Sequence, residues 1–161
     1  MQKRAALVEV AQIVIMKTFK KFYEATVVGL IEKIELAGVG SLEAKIDSGN
    51  GAYNVLHGEN ITKQGNKVTF TTVGGKRIIK DVHDTININV GAGHVEERPV
   101  VSFRMKFAGT EFDNIPFSIG DRSQNEYKVL IGKDFIKQLD ALIDVNSNHI
   151  ADDKIEVDYT N

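Results

Sequence analysis

Cysteine is absent from the 161-residue sequence, which excludes disulfide staples, thiolate metal sites and a cysteine nucleophile while leaving the redox compartment open. A dominant charge of either sign is missing too. Lys and Arg number 20 against 22 Asp and Glu, a formal charge of -2, so no strong field recruits nucleic acid or an anionic membrane, and neither is expected as a partner. The apolar stretch from Ala5 to Met16 falls well short of the roughly 20 residues that cross a bilayer, and Glu9 and Gln12 interrupt it. With Lys3 and Arg4 in front, it looks superficially like a secretory signal. Lys17, Lys20 and Lys21 follow it, however, and no small-residue cleavage site stands where one is needed. The reading is an intracellular, cytoplasmic protein. Internal repeats and low-complexity linkers are lacking as well, and the length suits one domain with a small appendage.

Residues 1–24 read as that appendage. Ala6, Val10, Ile13, Val14 and Met16 or Lys17 recur at helical spacing with no Gly or Pro between them, which suits a short amphipathic helix or an extended arm. Because Met16 opens Met16-Lys17-Thr18-Phe19, residues 1–15 also read as an upstream extension of a shorter protein. From residue 25 to 161 the texture changes to short runs of Val, Ile, Thr and Phe punctuated by Gly and Asn, the pattern of a mainly all-β unit. Strands are expected over Thr26–Leu36, Leu42–Ile46, a short piece at Val55-Leu56, Lys67–Val73, Ile78-Ile79, Asp84–Val90, Arg98–Phe107 and Glu111–Ile119. The apolar run Val129-Leu130-Ile131-Gly132 follows these strands, Ala141–Val145 is the last core strand, and a terminal edge strand is expected at Ile155–Tyr159. Gly38-Val39-Gly40 reads as a turn and Gly74-Gly75 as a hairpin tip. One helix near the C-terminus is expected where Phe135, Ile136 and Leu139 share a face.

The chemistry centres on Asp47, Ser48 and Gly49. They follow the apolar run ending at Ile46, so a carboxylate leaves a strand and is followed by a hydroxyl and by a glycine that permits a tight turn. Taken alone the tripeptide is an ordinary turn sequence. Its company is not ordinary. Val28-Gly29-Leu30-Ile31-Glu32, Ala44-Lys45-Ile46-Asp47-Ser48-Gly49 with Val55-Leu56-His57, Glu97-Arg98-Pro99-Val100-Val101, Asp121-Arg122-Ser123 and Leu130-Ile131-Gly132-Lys133-Asp134-Phe135 occur in that order over roughly residues 27–146.

In this order they resemble aspartic proteases of the retroviral type, and most closely the bacterial retropepsin-like group labelled ATP-dependent zinc proteases. The resemblance implies a closed retropepsin-like acid-protease β-barrel, with a hairpin flap after the Asp-Ser-Gly loop and an apolar-apolar-Gly run opening a helix beneath it. It further implies an aspartic endopeptidase in which Asp47 of each of two subunits forms the catalytic pair, Ser48 and Gly49 shaping the loop. One carboxylate of such a pair activates water while the other, protonated, polarises the scissile carbonyl. A single Asp-Ser-Gly per chain requires a two-fold homodimer acting on a peptide or protein substrate. Two departures stand out. Asn50 replaces a small alanine, and Lys133 replaces an arginine, exchanging a bidentate donor for a point charge. Together with the apolar arm, Asn50 supports an alternative in which the same fold is a catalytically silent assembly module bound to other subunits of a larger complex such as a phage virion.

Remaining features stay open or bland. Val73 to Arg77 reads equally as a mobile flap tip or as an ordinary hairpin. Association of the bacterial group with peptide-ligase systems implies substrate-anion contacts at Arg98 and Arg122; the alternative is an exposed or ion-paired arginine. His57, His83, His94 and His149 are scattered and do not form a zinc motif, and His57 reads as a packed or surface histidine. Asp144, Asn146, Asn148 and Asp152 have the spacing of calcium ligands, but His149 stands where the turn wants Gly and Ile155 where a bidentate Glu belongs. An Asx-rich turn accounts for them. Neither a metal nor a nucleotide cofactor is expected.

Overall fold

The computed structural model describes residues 6–15 and 26–151. Residues 6–15 form helix α1, exposed along its whole length, so the helical alternative for the arm holds there. The rest of the arm and the edge strand expected at Ile155–Tyr159 lie outside the described residues. No helix among those described is long and apolar enough to cross a membrane.

The body is mostly β, and its strands run as β1 Thr26–Leu36, β2 Gly40–Ile46, β3 Asn54–His57, β4 Glu59–Gln64, β5 Lys67–Thr72 and β6 Lys76–Asp81. They continue as β7 Asp84–Gly91, β8 His94–Phe107, β9 Thr110–Gly120, β10 Val129–Ile131 and β11 Ala141–Asn148, with helix α2 at Lys133–Gln138 between the last two. Eight strands make one mixed sheet in the order β11-β1-β2-β10-β3-β9-β8-β7, and β4-β5-β6 form a separate antiparallel sheet. The large sheet bends back far enough for β1 to pair also with β8, Ile34 opposite Phe107 and Leu36 opposite Met105.

Strand β8 shows why the sequence folds this way. Val101, Phe103, Met105 and Phe107 point inward, while Arg104 and Lys106 between them stay exposed, the period of two that a half-buried strand requires. Ala108 and Gly109, at φ 50° and 76°, turn the chain into β9 in the left-handed geometry that two-residue hairpins need. The inward side chains meet Leu56, Phe117, Ile119 and Ile131, all essentially inaccessible. Helix α2 docks on this core through Phe135, whose ring meets those of Phe107 and Phe112 edge-on at 5.5 and 5.2 Å. Such pairs add about 0.5–1.5 kcal/mol each beyond the area they bury.

Glu32 is fully buried in β1. Its carboxylate accepts from the amides of Gly29 at 2.8 Å, Ile150 at 3.0 Å and Ala151 at 3.1 Å, fastening the end of the described chain to β1. Gly29 makes room on the same side, since a Cβ there would lie 2.4 Å from the Ser147 carbonyl oxygen. Asp144 Oδ1 accepts from the Asn146 amide and Oδ2 from the Ser147 hydroxyl. The Asx bonding expected here therefore lies within β11, which continues to Asn148 where the sequence suggested an end at Val145.

Candidate functional site

The loop after β2 carries Asp47, Ser48 and Gly49, and it is fixed by the strand beside it. β10 runs parallel to β2, with Ile131 opposite Ile46, and the Asp47 amide extends that ladder by donating to the Ile131 carbonyl at 2.8 Å. The chain then turns at once: Gly49 N–H donates to Asp47 Oδ1 at 3.1 Å and Asn50 N–H to the Asp47 carbonyl at 3.1 Å. Asp47 is half-buried, whereas Ser48 and Gly49 are exposed. The Ser48 hydroxyl bonds no described residue of its own chain.

Asn50, a departure at the sequence level, turns out to be a fastener. Its Oδ1 accepts from Ala52 N–H at 3.1 Å, its Nδ2 donates to the Tyr53 carbonyl at 3.0 Å, and its carbonyl accepts from Lys133 N–H at 2.9 Å. The loop is thus joined to the start of α2. Gly132 lets the two come together, because a Cβ at that position would stand 3.0 Å from the Asn50 carbonyl oxygen and 3.3 Å from that of Ala52. Gly132 N–H in turn donates to the buried Asn54 Oδ1 at 2.8 Å. At the far end of the loop the Tyr53 hydroxyl donates to Asp84 Oδ2 at 2.6 Å, a tie that sequence reading missed. It holds the Asp84 carboxyl below its usual range and pushes the Tyr53 hydroxyl up.

Arg122 lies within electrostatic reach of both Asp47 and Arg98. Arg98 lies across the backbone of Gly120, where a Cβ would be 2.6 Å from its Nε. One of its terminal nitrogens pairs with Glu96 at 3.2 Å, while its buried Nε bonds no described residue. Arg122 is lowered from the ordinary arginine range, first by burial and then by the charge of Arg98, with Asp47 acting in the opposite sense. Arg98 is matched by Glu96, whereas Arg122 forms no ion pair with a described carboxylate, so its charge is the one left to be neutralised. Both residues were singled out in the sequence; what holds Arg122 was not.

Its amide donates to Nδ1 of the buried His57 at 2.8 Å, and its Nε donates to the Tyr127 carbonyl at 2.9 Å. The Lys128 ammonium staples the same loop by donating to the carbonyls of Arg122, Ser123 and Asn125 at 2.8, 3.0 and 2.7 Å. His57, Glu59 and Asp121 bring potential ligand atoms within 4.8 Å of one another. An amide can only donate, so Nδ1 must offer its lone pair and Nε2 carries the proton, facing Glu59 Oε1 at 3.3 Å. In this arrangement neither ring nitrogen is left for a metal, and His57 is the packed histidine of the plainer reading.

The two long hairpins differ in how they are held. The turn at Val73–Gly75 is anchored: Thr72 Oγ1 donates to the His57 carbonyl at 2.7 Å, Lys76 Nζ to the Val39 carbonyl, and Lys80 Nζ to the Ser102 carbonyl at 2.7 Å. The β7–β8 hairpin pairs Ile86 with Arg98 and then continues beyond the site to Gly91, Ala92 and Gly93. Those three residues sit at φ 99°, 50° and 75° and are exposed.

A model of the family described as RimB-like, retropepsin-like aspartic endopeptidase RimB, matches residues 27–154. The fold is similar to the crystal structure of a protein of unknown function from Legionella pneumophila subsp. pneumophila str. Philadelphia 1, with a TM-score of 0.64 and 25% identity, over 80% of this chain and 98% of that one. No protein with a curated description matches.

Proposed function

Because the chain belongs to the RimB-like family of retropepsin-like aspartic endopeptidases, we propose that it is an aspartic endopeptidase working as a homodimer, with Asp47 of each subunit activating water for peptide hydrolysis. The observation that carries this reading is the Asp47 loop itself. Its backbone is locked to Ile131 and, through Asn50, to Lys133, so the half-buried carboxylate is presented on a rigid support, as general acid–base work demands. Ser48, exposed beside it, has a hydroxyl available to the loop of a second copy. The pairing of β1 with both β2 and β8 supports reading the large sheet as the retropepsin-like barrel.

Arg122 gives the substrate its chemistry. Arg98 is paired with Glu96, while the charge of Arg122 within reach of Asp47 favours peptides carrying a carboxylate near the scissile bond, able to take a bidentate guanidinium contact. The flap of this chain is the β7–β8 hairpin with Gly91-Ala92-Gly93 at its tip; Val73–Gly75 belongs to the anchored three-stranded sheet.

Replacing Asp47 by Asn tests the reading. Cleavage of an Asp/Glu-rich peptide is expected to fall at least about a thousandfold, as befits loss of a group that acts as a unit with its partner, while light scattering should still give the mass of a dimer. Retained cleavage by the variant would reject the mechanism.

A further inference from the structure

We propose that His57 is a positioning residue for peptide binding: it fixes the main chain at Arg122 and so sets where that guanidinium stands relative to Asp47. The inference rests on the reading of the site as an anionic-peptide cleft and adds to it the part that holds one of the two cations in place.

The geometry is specific. The Arg122 amide donates to His57 Nδ1 at 2.8 Å across 65 positions of sequence, in a side chain only 10% exposed. Main-chain groups of the same residue tie down both neighbours: the His57 amide donates to the Lys128 carbonyl at 2.8 Å, and its carbonyl accepts from Thr72 Oγ1 at 2.7 Å. His57 therefore joins the 121–128 loop, the three-stranded sheet and the strand that follows the Asp47 loop. The guanidinium of Arg122 has a single hydrogen bond among the described residues, from Nε to the Tyr127 carbonyl. Its placement thus depends on the main chain that carries it. The charged groups facing the ring are Glu59 at 3.3 Å from Nε2 and Asp121 at 3.8 Å from Nδ1. Asp121 is itself engaged with Ser123 N–H at 2.8 Å, so the Arg122 amide remains the partner of Nδ1.

His57→Asn keeps an acceptor where Nδ1 stands; His57→Leu removes it and leaves the Arg122 amide unsatisfied. With an Asp/Glu-rich peptide and its Asn/Gln counterpart as substrates, His57→Leu should raise KM for the acidic peptide about tenfold, change kcat little, and leave the neutral peptide's KM alone. His57→Asn should return KM to within about twofold of the original. If His57→Leu does not fold, His57→Gln, whose amide reaches the Nε2 position instead, should show the same rise. An unchanged KM in the acceptor-less variant, or equal rises in it and in His57→Asn, would overturn the proposal. Calorimetric binding of the acidic peptide in the Asp47→Asn background keeps the two readings apart. A chain with Asp47 intact that binds the peptide but never cleaves it ends the peptidase assignment, whereas binding to the Asp47→Asn chain that is unchanged by His57→Leu ends this one.

Discussion

Glu32 and Asp47 are carboxylates of opposite surroundings: one is fully buried and satisfied by its own chain, the other is half-buried beside exposed Ser48 and Gly49. Glu32 accepts from three main-chain amides inside the protein, a set that only an acceptor can meet. Glu32→Gln puts an NH2 group among those donors, and removing the charge weakens the remaining bonds. We expect a loss of about 2–3 kcal/mol, read as a lower urea midpoint at an unchanged slope; an unaltered midpoint would mean that the 149–151 segment contributes nothing to stability. The sequence made Asp47 legible through the order of the segments around it, and it flagged Asn50, Lys133, Arg98 and Arg122. It could not show what they do. Asn50 looked like a disturbance beside the carboxylate and is instead the residue whose amide and carbonyl hold the loop together. The bond from Arg122 to His57 joins positions 65 apart, and nothing in local spacing or periodicity records such a meeting.

At the scale of elements, strands that bury one face were read easily, because alternation leaves its mark: β8 and β5 are examples, with burial switching residue by residue. β4 escaped, since Glu59–Gln64 is exposed at nearly every position and has no apolar period to detect. How each hairpin is held was equally hidden, as glycines at Gly74-Gly75 and at Gly91 and Gly93 look alike until the side chains bonded around Val73–Gly75 are seen. The tie between the Asp47 loop and β7 yields a prediction at this level. Asp84 is held below the ordinary carboxyl range chiefly by the Tyr53 hydroxyl and next by the Thr85 amide. A native pKa below the unfolded one contributes stability that is present above the unfolded value and is lost as pH falls through the native one. Tyr53→Phe deletes the largest cause. The Asp84 carboxyl should then titrate at higher pH, and the acid side of the stability curve should lose that contribution. Carbon-detected NMR titration of Asp84 reads this directly; an unmoved titration would show that the Thr85 amide suffices.

At the scale of the whole molecule, the number of carboxylates decides whether a catalytic pair can form. One chain supplies one Asp-Ser-Gly loop, and an acid–base carboxylate pair sharing a proton needs two. A two-fold dimer brings identical loops together by symmetry, so every active unit must draw Asp47 from both of its subunits. Mixed dimers expose that dependence. If wild-type and Asp47→Asn chains are unfolded together in equal amounts and refolded, random pairing leaves about a quarter of the dimers with two carboxylates, and activity per wild-type chain should fall to about half. If each chain carried a complete site, activity per wild-type chain would not change on mixing. The same preparation answers the assembly alternative. A chain that sediments at its own mass of 17.8 kDa, or as a ring of higher order that holds the Asp47 loops apart, cannot form the pair and would leave the fold as a module without catalysis. A dimer whose activity follows the square of the wild-type fraction requires the two Asp47 loops to face one another across the axis.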